Sequence, residues 1–252
     1  MTLWKLEWLR LVRTRRWIAL LGVFLFFGFL GPLTAAYLPE IFGFAGGDLE
    51  GATVEFPPAV PSDGMVQYVS NAMQIGTLVA VVVAAGALAF DAIPEMGVFL
   101  RTRVSDVRSI LAPRVVLTTV FVVSAFVIGA LAAWYETWVL LGPLDVGALM
   151  AGIGYGSLFL VFVVALVAAA AGRSNSVLGT VMVSIVVLLV MPILGISDAI
   201  GRWLPTHLGG SVGPLTAGDL TASDYLPAAA VTVVLSAGLL WLAVWLAERR
   251  EL

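Results

Sequence analysis

The sequence predicts an all-α polytopic membrane protein, with one interfacial helix and six transmembrane helices in a single domain over residues 1–252. Hydrophobic residues make up 61% of the chain and charged residues 12%, with a mean hydropathy of +1.05. Soluble domains have about 45–50% apolar and about 25% charged residues. A soluble fold could not hide this much apolar surface, so the chain is predicted to lie in lipid.

The basic residues predict the orientation of the chain. Twelve of the thirteen Lys and Arg residues lie in segments on one side of the apolar runs, and Arg202 alone lies on the other. Basic segments resist translocation, which predicts a plasma-membrane protein with both termini in the cytoplasm. The basic residues flank different helix ends and form no single patch, so nucleic acid is not an expected partner. The twelve are Lys5, Arg10, Arg13, Arg15, Arg16, Arg101, Arg103, Arg108, Arg114, Arg173, Arg249 and Arg250.

Residues 3–16 predict an amphipathic helix that lies along the inner membrane surface. They contain no Gly or Pro, and Trp4, Trp8, Leu11 and Val12 recur on one helical face. Tryptophan at the level of the lipid headgroups is typical of such helices. The apolar run that follows is long enough for a full span, which favours a retained helix over a cleaved signal peptide.

Six apolar runs predict transmembrane helices, because each is near or above the roughly 20 residues that cross about 30 Å of hydrocarbon. Backbone polar groups find no water there, so helices are the expected form. The longer connections are an outer loop at 38–68, a cytoplasmic loop at 91–112 and an outer segment at 198–225, whose half-apolar composition also suits a re-entrant arrangement. The predicted spans are 17–37, 69–90, 113–138, 148–171, 176–197 and 226–247.

The sequence lacks the residues that most enzymes and ion-coupled transporters use. No ionisable residue lies in the central part of a predicted span, where proton and ion paths usually carry one. The chain has no Cys, one His and no G-x-x-x-x-G-K-[ST] loop for ATP. Gly152 and Gly156 form a G-x-x-x-G spacing inside the fourth span, which predicts close helix packing. We therefore expect no catalytic residue, metal ligand or cofactor on this chain.

A few polar side chains are candidates to line a transport pathway. Asn71 and Gln74 begin the second span three residues apart, on one side, and Thr77 follows one turn later. Polar groups in lipid should point towards protein or a cavity, which predicts an outer vestibule. Hydrogen bonds between helices of one subunit explain the same residues equally well. Ser184 is a weaker candidate, because a helical serine often bonds its own backbone.

The cytoplasmic loop after the second span holds the most specific pattern. Glu95 and Gly97 form a Glu-x-Gly stretch, and Val104 and Ser105 belong to an Arg-Val-Ser stretch further on. This loop resembles that of ABC-2 type transporter permeases, which join their second and third spans by a Glu-x-Gly stretch and then a Pro-Val-Ser-Arg-like stretch. Arg114 resembles the basic residue that opens the third span of that family. The order of interfacial helix, six spans and large outer segment before the last span agrees over nearly the full length.

The resemblance implies an ABC-2, type V exporter-like architecture and the role of a membrane permease subunit. Such a subunit exports a hydrophobic or amphiphilic compound, such as a drug, a lipid-like molecule or a peptide. ATP and Mg²⁺ would be held by a separate ATP-binding subunit on the cytoplasmic face, and a second permease subunit, identical or related, would complete the pathway. The residues implied to contact the ATP-binding subunit are Trp4, Trp8, Arg10, Glu95, Gly97, Arg101, Arg103, Ser105 and Arg108.

Two other classes of function compete with the permease. A non-transporting membrane anchor or regulatory protein would also have almost uniformly apolar spans, and it is the main alternative. An intramembrane enzyme would need catalytic groups that converge, and it would regain support if Glu136, Asp145 and His207 met in one outer cleft.

Overall fold

The chain folds as a helical bundle. A computed structural model describes residues 3–38, 40, 58–89, 107–174 and 176–249, and every regular element in these ranges is helical. A π-helical turn (Ala72–Gly76) joins α3 to α4, and a 3-10 turn (Ala222–Tyr225) precedes α11. The α-helices are α1 (Leu3–Arg13), α2 (Arg16–Ala36), α3 (Pro61–Asn71), α4 (Thr77–Leu88), α5 (Val107–Leu140), α6 (Val146–Arg173), α7 (Val177–Leu194), α8 (Asp198–Gly201), α9 (Pro205–Gly209), α10 (Val212–Ala217) and α11 (Leu226–Glu248).

Six helices in the described part of the chain are long and apolar enough to cross a membrane. They are α2, the continuous α3–α4 helix, α5, α6, α7, and α11 with its preceding 3-10 turn. The predicted number of spans is therefore confirmed, and the chain is a multi-pass membrane protein. We call the end of the bundle that carries α1 the α1 end, and the end that carries α8 to α10 the opposite end.

The second span begins eight residues earlier than predicted, so residues 61–68 are helical and are not part of a loop. Pro61 opens the helix, where its missing N–H group costs nothing. The backbone N–H of Val60 donates to Asp63 Oδ2 at 2.9 Å, which fixes the first turn. The third span also begins earlier, at Val107 instead of 113, because the helix continues through Pro113.

A backbone break separates α1 from α2. Arg15 has φ 55° and ψ 14°, in the left-handed region, which residues other than glycine rarely adopt. The amphipathic helix predicted at 3–16 consequently ends at Arg13, and the first span starts at Arg16. Two distinct helices result, so α1 is not a simple extension of the first span.

The core of the bundle forms around α6. This helix is the most buried of the six spans, and it packs against α4, α5, α7 and α11 as well as the short helices α9 and α10. A helix that is apolar all round, with small residues such as Ala168–Ala171, is suited to a central position. The least buried spans, α7 and α11, lie at the periphery and expose apolar side chains.

Glycines bring α2 and α5 into backbone contact. A Cβ atom on Gly28 would lie 2.6 Å from the carbonyl oxygen of Gly129, and one on Gly129 would lie 2.5 Å from that of Phe24. Small residues of this kind let transmembrane helices approach closely. Tyr68 of α3 joins the pair, because its hydroxyl donates to the Phe126 carbonyl oxygen at 2.8 Å in the buried core.

The segment predicted at 198–225 folds back onto the bundle. Its helices α9 and α10 pack against α6, and α10 also packs against α3, with Leu208, Val212 and Leu215 buried. A Cβ atom on Gly152 would lie 2.8 Å from Val212 Cα, so the glycine packs closely against α10. Since Gly152 is the seventh residue of α6, the segment reaches about two helical turns along the bundle. This packing accounts for its half-apolar composition.

Candidate functional site

A stripe of polar side chains runs down the second span. Asp63, Gln67, Ser70 and Gln74 are all exposed, and their spacings of four, three and four residues place them on one side of the helix. We call these four residues the polar stripe. No other part of the described chain covers it, although the same span buries Met65, Tyr68, Val69 and Ala72 on its other side.

The polar stripe extends to the middle of the second span. The span Pro61–Leu88 has 28 residues, which at 1.5 Å per residue is about 42 Å, and Gln74 is its fourteenth residue. Asp63 lies about 16 Å from Gln74 along the axis, a distance of about half the thickness of a hydrocarbon layer. The stripe therefore carries polar groups from one end of the span to its midpoint.

The other predicted pathway residues lie elsewhere. Asn71 is half-buried, and its side-chain amide donates to the carbonyl oxygen of Gln67 at 3.0 Å. Thr77 is buried inside the bundle, one residue past the π-helical turn. Ser184 is also buried, and its hydroxyl donates to the carbonyl oxygen of Thr180 on its own helix at 2.8 Å. Of the four candidates, only Gln74 is exposed on the polar stripe.

The amphipathic helix α1 is fastened to the third span by a buried ion pair. Arg114 Nε donates to Glu7 Oε1 at 2.8 Å, and both side chains are almost completely buried. Arg10 adds a longer contact, with Nη1 3.5 Å from Glu7 Oε2. A buried charge is stable only when it is paired and hydrogen-bonded. The position of α1 is therefore fixed by a specific polar contact as well as by apolar packing.

The predicted apolar face of α1 divides between two environments. Leu11 is buried, but Trp4, Trp8 and Val12 are exposed on the bundle surface. The Trp8 ring also touches Phe121 of α5, with ring centroids 5.2 Å apart. The side of α1 that packs against the bundle instead carries Glu7 and Leu11. The two tryptophans remain available to lipid or to another protein.

Most of the predicted coupling residues cannot be placed. Glu95, Gly97, Arg101, Arg103 and Ser105 lie outside the described residues.

One member of that set is described, at the start of α5. Arg108 Nε lies 3.6 Å from Glu248 Oε1 of α11, and both side chains are largely exposed. Together with Glu7 and Arg114, this contact places the starts of α1 and α5 and the end of α11 on one end of the bundle. That is the α1 end.

The three groups that an intramembrane enzyme would need do not meet. His207 lies in a cleft of about 950 Å³ between the end of α7, the turn before α9 and the start of α11, and neither Glu136 nor Asp145 lines that cleft. Asp145 instead caps α6, accepting from the backbone N–H of Gly147 at 2.8 Å. In the described part of the chain, no group of three His, Asp or Glu residues could hold a metal ion.

Four residues of these sites were not recognised from the sequence. Glu7 is an isolated acidic residue among the basic residues of α1, and that isolation is the signal that could have indicated an internal pair. Asp63, Gln67 and Ser70 recur with Gln74 at helical spacing. Asp63 and Gln67 lie before residue 69, where the helix was predicted to start, so the spacing that Ser70 and Gln74 continue was not recognised.

No family model, no curated protein and no solved structure matches this chain.

Proposed function

We propose that this chain is the membrane permease subunit of an ATP-binding cassette transporter. It exports a hydrophobic or amphiphilic compound with energy from ATP that a separate subunit hydrolyses. The observation that carries the proposal is the polar stripe, which stays exposed down to the centre of the second span. A membrane anchor has no use for such a surface, because exposed polar groups are unfavourable in lipid.

A second permease subunit, identical or related, covers the polar stripe in this proposal. The pathway then runs between the two subunits, and Gln67, Ser70 and Gln74 line it from each side. The π-helical turn supports this reading, since such turns are frequent at functional sites. An ABC-2 arrangement in the plasma membrane, with both termini in the cytoplasm, places Asp63 at the outer mouth.

The α1 end is the docking surface for the ATP-binding subunit. Exposed Trp4, Trp8 and Arg108 lie at that end, and the loop with Glu95 follows α4. The Glu7–Arg114 pair makes α1 and α5 move together. If closure of the ATP-binding subunit displaces α1, the third span would therefore move with it. Such a movement of whole helices is a rigid-body switch. ATP and Mg²⁺ belong to the partner.

Cysteine accessibility tests the pathway. The natural chain has no cysteine, so Gln67→Cys and Gln74→Cys each introduce one reporter. In membranes that contain the assembled transporter, a water-soluble maleimide should label both. A matched control is Val120→Cys, on an exposed apolar position of α5, which should stay unlabelled in lipid. Labelling of Val120→Cys but not of Gln74→Cys would contradict the proposal and leave the anchor as the better reading.

Energy coupling is tested separately. The chain should co-purify with an ATP-binding subunit, and the ATP turnover of that subunit should depend on its presence. If no such subunit associates with the chain in its native membrane, the transporter proposal is wrong.

A further inference from the structure

The cleft that holds His207 carries chemistry that the proposed pathway does not use. We call it the Arg202 cleft. It lies at the opposite end of the bundle, with Pro192 of α7 and Gly195, the residue that follows this helix, on one side and residues 220–227 on the other. Its volume of about 950 Å³ is within the range of small-molecule binding sites.

One wall of the cleft is held rigidly. The His207 ring stacks on the buried Tyr225 ring with centroids 4.7 Å apart, and the centroid of the Tyr155 ring lies 5.4 Å from that of Tyr225. The Tyr155 hydroxyl donates to the carbonyl oxygen of Ala222 at 2.6 Å. These contacts fix the position of His207 relative to α6 and the start of α11, so the cleft exists before any ligand enters.

Arg202 is the cation that the cleft can offer a ligand. It is exposed, and its guanidinium carbon lies 5.8 Å from the centre of the Trp203 ring. Among the described residues it makes no ion pair with a carboxylate. Asp224 also lines the cleft and brings a negative charge to it, which the backbone N–H and the hydroxyl of Thr221 stabilise by donating to its Oδ2 atom, both at 2.8 Å. A bound anion must therefore lie on the Arg202 side of the cleft.

The surface beside the cleft is apolar. Ile193, Ile196, Ile200 and Trp203 are all strongly exposed, and they lead from the end of α7 to Arg202. A basic residue next to exposed aliphatic and indole side chains is the arrangement found where proteins meet the headgroup region of a membrane.

We propose that the Arg202 cleft binds an amphiphile with an anionic phosphate head group. Arg202 contacts the phosphate, Thr206, His207 and Ser223 offer hydrogen bonds, and the acyl chain lies along the exposed apolar side of α7. A guanidinium suits phosphate because its N–H groups form a planar fork. That this amphiphile is also the cargo of the transporter rests on the proposed function. The binding itself does not.

Native mass spectrometry of the purified full-length chain in a neutral detergent tests the binding. The probe is dioctanoyl phosphatidic acid, compared with uncharged dioctanoylglycerol and with inorganic phosphate as competitor. The wild-type chain should retain the phosphatidic acid in preference to the uncharged lipid. Arg202→Gln should weaken retention about ten-fold, the loss expected for one charge-assisted contact, whereas Arg202→Lys should lose less.

The matched control is Arg173→Gln, which removes an exposed arginine at the α1 end and should leave retention unchanged. Thermal unfolding should be the same for Arg202→Gln and wild type, because Arg202 is exposed and unpaired with any described carboxylate. Equal retention by Arg202→Gln and wild type would overturn the proposal. So would equal retention of dioctanoylglycerol, or displacement of the probe by an equal concentration of inorganic phosphate.

This experiment and the transporter tests can fail independently. Binding to the Arg202 cleft requires no ATP-binding subunit, so its failure leaves the proposed permease intact. Conversely, if the chain binds phosphatidic acid but associates with no ATP-binding subunit, the proposed binding to the Arg202 cleft stands and the proposed transporter function is wrong.

Discussion

Glu7 and Arg114, 107 residues apart in sequence, form a buried ion pair with Nε and Oε1 2.8 Å apart. The pair joins the amphipathic helix α1 to the start of the third span. A positive charge at the start of a span is expected from topology alone, because basic residues flank helices on the cytoplasmic side. The structure adds that this particular arginine is buried and holds another helix in place.

Removal of one member of this pair should destabilise the chain strongly. Glu7→Gln leaves the Arg114 charge buried, and breaking a buried pair in this way costs roughly 3–5 kcal/mol. The double variant Glu7→Leu with Arg114→Met should recover much of the loss, since it removes both charges. The measurement is thermal unfolding in detergent.

The matched control for the ion pair is Glu248→Gln. It removes an exposed contact of 3.6 Å with Arg108, which should contribute about 1 kcal/mol at most. If Glu7→Gln and Glu248→Gln unfolded at the same temperature, the Glu7–Arg114 pair would not fix α1.

Gly152 should be intolerant of any side chain. Gly152→Ala places a methyl group 2.8 Å from Val212 Cα, which pushes α10 away from α6 and should cost about 1–3 kcal/mol. Limited proteolysis should then cut the 198–225 segment faster than in wild type.

Gly154 supplies the control on the same helix, because no atom lies within 4 Å of its added Cβ. Gly154→Ala should be neutral or up to about 1 kcal/mol stabilising, since alanine favours the helix. Similar behaviour of the two variants would show that α10 does not press on Gly152.

His207 should make the stability of the chain depend on pH. Partial burial lowers the pKa of its imidazole below the ordinary value of 6.5. Between pH 6.5 and that lower pKa the unfolded chain binds a proton that the folded chain does not, so the free energy of unfolding falls as the pH decreases. The wild-type unfolding temperature should therefore drop between pH 7.5 and 5.5.

His207→Phe isolates this effect, because it keeps an aromatic ring against Tyr225 and removes the only histidine of the chain. Its unfolding temperature should fall less than that of wild type over the same pH range. Parallel curves for the two proteins would exclude His207 as the cause.

Glu95→Ala should separate ATP use from transport in the assembled complex. The prediction rests on the proposed function and on the position of Glu95 in the Glu-x-Gly stretch that follows the second span. ATP turnover should continue while transport falls, and assembly should remain detectable. Glu40→Ala, an exposed glutamate at the opposite end, should leave both unchanged. Normal transport by Glu95→Ala would remove this residue from the mechanism.

The sequence predicted the spans well and the sites only in part. Long apolar runs indicate spans directly, so the six helices differ from the prediction mainly at their ends. The start of the second span was placed wrongly because Asp63 and Gln67 are polar, and hydropathy alone cannot distinguish a polar helix face from a loop. The sequence pattern of α1 identified the helix, yet three of its four predicted face residues are exposed.

Composition and apolar run length determined by themselves that the described part of the chain is helical, with six helices long and apolar enough to span a membrane. Each of these properties is a sum over the local sequence, so it can be evaluated without knowing which residues come into contact in the fold. Tertiary structure alone decided that Glu7 pairs with Arg114 and that Gly152 packs against Val212. It also decided that Gln74 stays exposed while Thr77 and Ser184 are buried. Each of these depends on how one helix is rotated against another, and nearly uniform apolar spans contain little polar contrast to fix that rotation.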